Sequence, residues 1–480
     1  MRIGKRAPLM WLAWTLKLHL GRRASVAFLL CVATAMALPG QTFTTLAVFA
    51  DVPGAHCDHN GYCSPYAGLV QGTDGNYYGT TSGQSSVFQI SPEGVLTTVY
   101  GFKGAPGVPD VYGGVIQATN GDFYGTTLRG GVQQDGSVFS VSANGALRTL
   151  HVFGGADGAA PFAGLVQGAD GNFYGTTSQG GPNVCPSTGT TCGTVFKITP
   201  GGKLTTLHVF DGSDGDYPVA GLVQGVDGDF YGAASGTIFK ITSGGTFTAL
   251  NSLTGGASAA LVQGTDGNFY GITAGGGDNS AGTIFEITPT GVLTTLYSFC
   301  PQSGCPDGQS PQASLVQGTD GNFYGTTAYG GNPLCDSGCG TIYRFTTAGV
   351  LTTLHSFDRT DGFDCFAPVV QGTDGNFYGT TWAGGGTSLI SGTAYNLSVG
   401  LGAFVKTQTA SGKVGARVTI LGTALTGATS VTFNGTQAAF TVNSTGTAIS
   451  TTVPASATTG EVQVVTPSGT LASSMQFRVR

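Results

Sequence analysis

Short apolar runs and glycine turns alternate along most of the chain with a regular beat. Residues 165–210 show one complete unit: LVQG, a DGN-type turn, FYGTT, a glycine-rich loop, GTVFKIT, a PGG turn and KLTTLHVF. Near-copies of its opening begin at Leu69, Val115, Leu222, Leu261, Leu315 and Val369, seven in all with the one at Leu165. Self-similarity with a period of about 40–50 residues signals a repeat architecture and outranks any local reading. Within the unit, runs rich in Val, Ile, Phe, Tyr and Thr read as four β-strands: a (165–167), b (173–177), c (194–199) and d (204–210). Asp-Gly and Gly-Asn between a and b tolerate positive φ and make tight hairpins. The c–d turns are equally short. Four antiparallel strands repeated radially make a β-propeller.

Loop lengths give the ring two unlike faces. The c–d spacing is constant (Ile90 to Leu96, Ile198 to Leu204, Ile287 to Leu293), whereas b to c runs from 8 positions (Tyr231 to Phe239) to 22 (Tyr174 to Phe196). All long loops therefore share one end, where function is expected. The seventh unit has strands a to c (369–371, 377–381, 393–399) but no LTTLHVF after them. A matching FTTLAVF stands at 43–49, so this segment is expected to supply the missing strand and hide two sheet edges. The fold class is all-β: a seven-bladed propeller over 38–400, closed by its N-terminal strand.

After Gly400 the repeat stops. Residues 401–413 read as a linker and 414–480 as a small Ig-like β-sandwich, with short alternating strands at 417–421, 430–433, 440–442, 449–453, 461–465 and 476–479. Residues 1–37 read as an export signal, with Arg2, Lys5, Arg6, Lys17, Arg22 and Arg23 ahead of an apolar run and Ala35-Met36-Ala37 as a cleavage site; an uncleaved anchor is the alternative. No other segment is long and apolar enough to span a membrane. Removing the signal leaves 13 Lys and Arg against 25 Asp and Glu, a net of −12. Such a surface argues against nucleic acid.

Export makes disulfides plausible. Eight of the nine cysteines after the signal fall into close pairs within single loops: Cys57–Cys63, Cys185–Cys192, Cys300–Cys305 and Cys335–Cys339. Each would pin a loop of the variable face, leaving Cys365 over.

The run DGNFYGTT…GTVFKITPGGKLTTLHVF resembles the repeat of the bacterial GloVer tandem-repeat proteins, also called choice-of-anchor proteins, over residues 43–400. The stretch SGKVGARVTILGTALTGATSVTFNG…VPASATTGEVQVVTPSG is similar to IPT/TIG domains, the Ig-like fold of many surface proteins. The first resemblance implies export and surface display, with no defined activity.

Candidate chemistry is sparse. His151, His208 and His355 share one strand d position with Ala47, Tyr100 and Tyr297, which marks a packing site. Asp74, Asp170, Asp227, Asp266, Asp320 and Asp374 sit in hairpins and read as conformational. Asp157, Asp214, Asp307 and Asp361 lie in d–a loops and are the candidates for a ligand face. Asp211, Asp214 and Asp216 alternate as calcium loops do, but without the terminal Glu of a full loop. His56-Cys57-Asp58-His59 with Cys63 holds zinc ligand types at no recognised finger spacing. No GxSxG, HExxH or P-loop appears. The expectation is a secreted or surface-displayed monomer without catalytic residues or required cofactor, binding an extracellular polysaccharide or a surface protein. A passive structural role and a polysaccharide-active enzyme are the alternatives.

Overall fold

A computed structural model describes residues 41–49, 64–82, 85–102, 110–186, 189–256, 259–335, 337–385 and 391–480. The signal segment and the Cys57–Cys63 loop lie outside these residues. Among the described residues there is no α-helix. Seven four-stranded antiparallel sheets occupy the repeat region. In the third, Val166–Gln167, Phe173–Thr177, Thr194–Ile198 and Leu204–Val209 pair in chain order. The seventh takes Val370–Gln371, Phe377–Thr380 and Thr393–Ser398 from the end of the repeats and Thr42–Val48 from their beginning. Thr42 pairs with Ser398 and Val48 with Thr393, so the expected exchange is present.

The FYG triad explains how sheets stack. Strand b is buried along its whole length, so both of its faces need apolar cover. Phe173 lies on Tyr124 of the sheet before and Tyr174 on Phe230 of the sheet after, at centroid distances of 4.0 and 3.9 Å. Gly175 makes room for strand c: a Cβ there would stand 2.7 Å from Cζ of Phe196. The same stack recurs at every junction and returns from Tyr378 to Tyr77. The sheets thus form a closed, propeller-like ring.

A second belt runs around the inner strands. Each strand a ends in Gln, whose Oε1 accepts from a backbone N–H of the preceding sheet: Thr73 to Gln117, Thr119 to Gln167, Ala169 to Gln224, and on to Thr373 to Gln71. The hairpin Asp has the conformational role its position suggests. Asp170 Oδ1 accepts from Asn172 N at 3.1 Å and Oδ2 from the Tyr174 hydroxyl at 2.8 Å. Gly171 at the tip has φ 82°.

The C-terminal residues form two four-stranded sheets around one core. Val405–Thr407, Arg417–Gly422, Ala448–Thr452 and Phe440–Val442 make one; Thr436–Gln437, Ser430–Phe433, Val462–Thr466 and Gly469–Ala472 make the other. Ile420, Phe433, Ile449 and Val464 are fully buried between them. Residues 401–413 are therefore not a free linker: Val405 pairs with Gly422 and belongs to that core. Three residues reading Val-Lys-Thr are too short to show a strand period.

This body sits on the tight-turn end of the ring. Phe404 N donates to Thr373 O at 2.9 Å, the Thr373 and Thr423 hydroxyls meet at 2.7 Å, and Asn443 Nδ2 donates to Thr73 O at 2.8 Å. Lys406 Nζ donates to Gln371 O at 3.1 Å. Burial draws that amine down to about 8, with Asp374 opposing the shift.

Candidate functional site

With one end of the ring covered, the other end is left to the long loops. There the d–a loops turn inward and line a shallow, open mouth of about 260 Å³. Its largest side chains come from one repeating position, three residues before the Leu or Val that opens strand a. That position holds Tyr66, Tyr112, Phe162, Val219, Gln312 and Phe366; the fifth sheet's counterpart lies outside the described residues.

The four rings come from four successive sheets around the closure point. Tyr66 stacks on Phe366 at 5.3 Å and meets Tyr112 edge-on at 5.2 Å; Tyr112 stacks on Phe162 at 5.4 Å. All four are half-buried. Opposite them stand small and polar groups, Ala260, Gln312 and Ser314. One wall is aromatic and the other is not.

Two residues earlier in each loop is a second variable position: Ser64, Asp110, Ala160, Tyr217, Ser310 and Asp364. Four of these adopt left-handed backbone, with φ 52° at Ala160, 48° at Tyr217, 52° at Ser310 and 57° at Asp364. Non-glycine residues in that region are uncommon and concentrate where a loop must aim its neighbours. At the tip of this turn the Asp364 carboxylate is half-buried and accepts no hydrogen bond among the described residues. Burial alone pushes it up to about 6. It lies close enough to Tyr329 to raise that phenol after burial, and Tyr329 and Tyr112 in turn act on Tyr66. Across the aromatic wall Asp110 is steadied by Arg129 at 3.8 Å. Trp382 meets Phe366 edge-on at 6.1 Å.

The profile of the Gloeobacter/Verrucomicrobia repeat matches residues 64–248 and again 233–449. The chain belongs to this family. No match is found among curated protein sequences. Solved structures resemble this repeat protein in fold alone. Streptogramin B lyase is 16% identical over 75% of this chain and 99% of its own, with a TM-score of 0.52. Virginiamycin B lyase from Staphylococcus aureus is 15% identical over the same shares, with a TM-score of 0.54. A copper-bound fungal alcohol oxidase of the AA5 family is 13% identical over 87% of this chain and 97% of its own, at 0.50.

In this family member the aspartates singled out by sequence do not line the mouth. Asp157, Asp214 and Asp361 turn back onto strand d and bond His151, His208 and His355 at 2.8, 2.7 and 2.8 Å. Their second oxygens accept backbone N–H groups of their own loops. Asp307 takes the Tyr297 hydroxyl at 2.9 Å and Cys300 N at 3.1 Å. The histidines act as packing pieces: His208 stacks on Phe247 of the next sheet at 3.9 Å and His355 on Phe43 at 3.7 Å. Asp211, Asp214 and Asp216 do not form a cation cage. Asp211 Oδ1 is held by Ser213 and Asp214 by His208, and no group of three or more such ligands gathers among the described residues.

Cys185–Cys192, Cys300–Cys305 and Cys335–Cys339 are disulfides, and Cys365 is a buried free thiol packed in the core with Phe357 and Tyr395. Cys57, Cys63, His56, Asp58 and His59 lie outside the described residues. Sequence reading passed over Tyr66, Tyr112, Phe162, Phe366 and Asp364 because no motif contains them. The signal that was available is variation at a constant offset. Strand b keeps an aromatic-Tyr-Gly start at every sheet because packing demands it, whereas the mouth positions differ from sheet to sheet.

Proposed function

We propose that this is an exported, monomeric binding protein whose seven-bladed propeller holds an extracellular ligand in the long-loop mouth. The observation that carries the reading is the half-aromatic mouth and, two residues before Phe366, a half-buried Asp364 carboxylate that accepts no hydrogen bond among the described residues. Partly buried polar groups without protein partners are what a ligand is needed to satisfy. Ligand sites favour concave places with apolar walls and a few polar groups. Export is supported by the basic and apolar pattern of residues 1–37 and by three disulfides in the loops of this face. The C-terminal body, an Ig-like domain in this reading, caps the opposite end and leaves the mouth facing outward.

The test is co-sedimentation of the full chain with insoluble polysaccharides, comparing the wild type with a Tyr112→Ala/Phe366→Ala double variant. Retention of the wild type and loss of the double variant is expected. Equal retention of both would place binding elsewhere and end the reading. Soluble sugars released by the wild type and not by Asp364→Asn would instead make the mouth catalytic, with Asp364 as its acid.

A further inference from the structure

Resting on the reading of the mouth as a binding site, we propose that it takes one ring of a neutral saccharide, stacked on the aromatic wall and hydrogen-bonded by Tyr112 in the lining and, from the loops beside that lining, by Asp364 and Tyr329. A pyranose has a face of C–H groups and a rim of hydroxyls. The apolar face suits an aromatic plane, and each hydroxyl offers one donor and accepts in return.

The distribution of groups favours this class over others. The four rings stand on one side and pack against each other, so they present a wall rather than an enclosure. A cationic ligand would be better served by rings on several sides. Asp110 and Asp364 flank the aromatic wall, and the chain carries a net negative charge, so a polyanionic sugar would be repelled. The volume, about 260 Å³, falls below the roughly 300–1,000 Å³ of pockets that enclose a whole drug-sized ligand. One ring enters and the rest of the polymer lies outside among the long loops. Tyr66 and Tyr112 line the mouth, and the hydroxyls of Tyr66, Tyr112 and Tyr329 make no side-chain hydrogen bond among the described residues.

The experiment is calorimetric titration of the full chain at pH 7 with cellohexaose, mannohexaose and chitohexaose. Polygalacturonate and tetramethylammonium serve as anionic and cationic counter-probes. At least one neutral hexasaccharide is expected to bind, with Asp364→Asn and Tyr112→Ala each weakening it roughly tenfold or more. Lys406→Gln, at the covered end, should leave it unchanged. Circular dichroism melts of each variant separate loss of binding from loss of fold. Binding of tetramethylammonium or polygalacturonate alone, abolished by the same variants, would overturn the saccharide class while sparing the mouth as a site. Neutral-sugar binding that survives both variants would overturn the placement as well, and binding of no probe would overturn the proposal.

Discussion

The ring of Tyr378 lies on that of Tyr77, centroids 4.1 Å apart and 25° from parallel. These residues stand 301 positions apart in sequence, yet they make the same stack that joins every neighbouring pair of sheets. Closure therefore needs no special interface; it is the ordinary junction used once more. The covalent break is moved into the seventh sheet, where Thr42–Val48 completes the hydrogen bonding of Thr393–Ser398.

Deleting residues 41–49 should expose the edge of Thr393–Ser398 and uncover His355, on which Phe43 stacks. Unpaired edges template association, so aggregation at micromolar concentration is expected in light scattering. A monodisperse deletion variant with unchanged melting temperature would contradict this account of closure.

Gly175→Ala tests the triad that spaces strands b and c. The added Cβ would meet Phe196 at 2.7 Å and Leu165 at 2.9 Å, and overpacking of this kind costs about 1–3 kcal/mol. Tyr174→Phe should be milder, about 1 kcal/mol, since it removes only the hydroxyl that Asp170 accepts. Urea unfolding would check both, and the reverse order would show that the hairpin, not the packing, governs the repeat.

The ring was legible because the repeats state the same packing solution seven times. DGN gave the hairpin, FYG the inter-sheet stack and the misplaced FTTLAVF the closure. The partners of the loop aspartates were not legible, because Asp-Gly in a loop looks the same whether the carboxylate faces solvent or returns to a histidine six residues earlier, as Asp157 does to His151. Docking of the C-terminal body was not legible at all. It depends on single contacts such as Asn443 to Thr73 across 370 positions, which leave no period in the sequence.

Asp364 should limit stability at neutral pH. Its folded pKa, about 6, lies above the ordinary 3.8, so its contribution is fully present below pH 3.8 and lost as pH rises through 6. The groups around it do not reverse this: Tyr329 and Cys365 are neutral there, and Asp361 is held by His355. Asp364→Asn is expected to stabilise the protein at pH 7 by on the order of 1 kcal/mol after solvent screening, and to change nothing below pH 4. Stabilisation by removing a group needed for binding is the mark of a functional residue. Equal or lower stability of the variant at pH 7 would count against it.

Lys406 gives the opposite sign. Its folded pKa, about 8, lies below 10.5, so between these values the unfolded chain holds the additional proton and stability rises with pH. The usable window is pH 8 to 10, before the tyrosines with raised folded pKa values begin to oppose it. Lys406→Met should lose this rise and be no less stable at pH 7, because replacing a buried charge by an apolar side chain is often neutral or better. Parallel melting curves of wild type and variant across that window would show it.

Occupancy of the mouth is the central claim, and Trp382 reports on it directly. The other tryptophans are Trp11 and Trp14, so in a Trp11→Phe/Trp14→Phe background the only indole stands beside Phe366 of the aromatic wall. Titrating that protein at pH 7 with the neutral hexasaccharide that calorimetry shows to bind should give a saturable change in Trp382 emission with the calorimetric affinity, shifted to roughly tenfold higher concentration by Asp364→Asn. Emission that stays flat through a saturating titration, or a midpoint indifferent to Asp364→Asn, would contradict binding at the mouth.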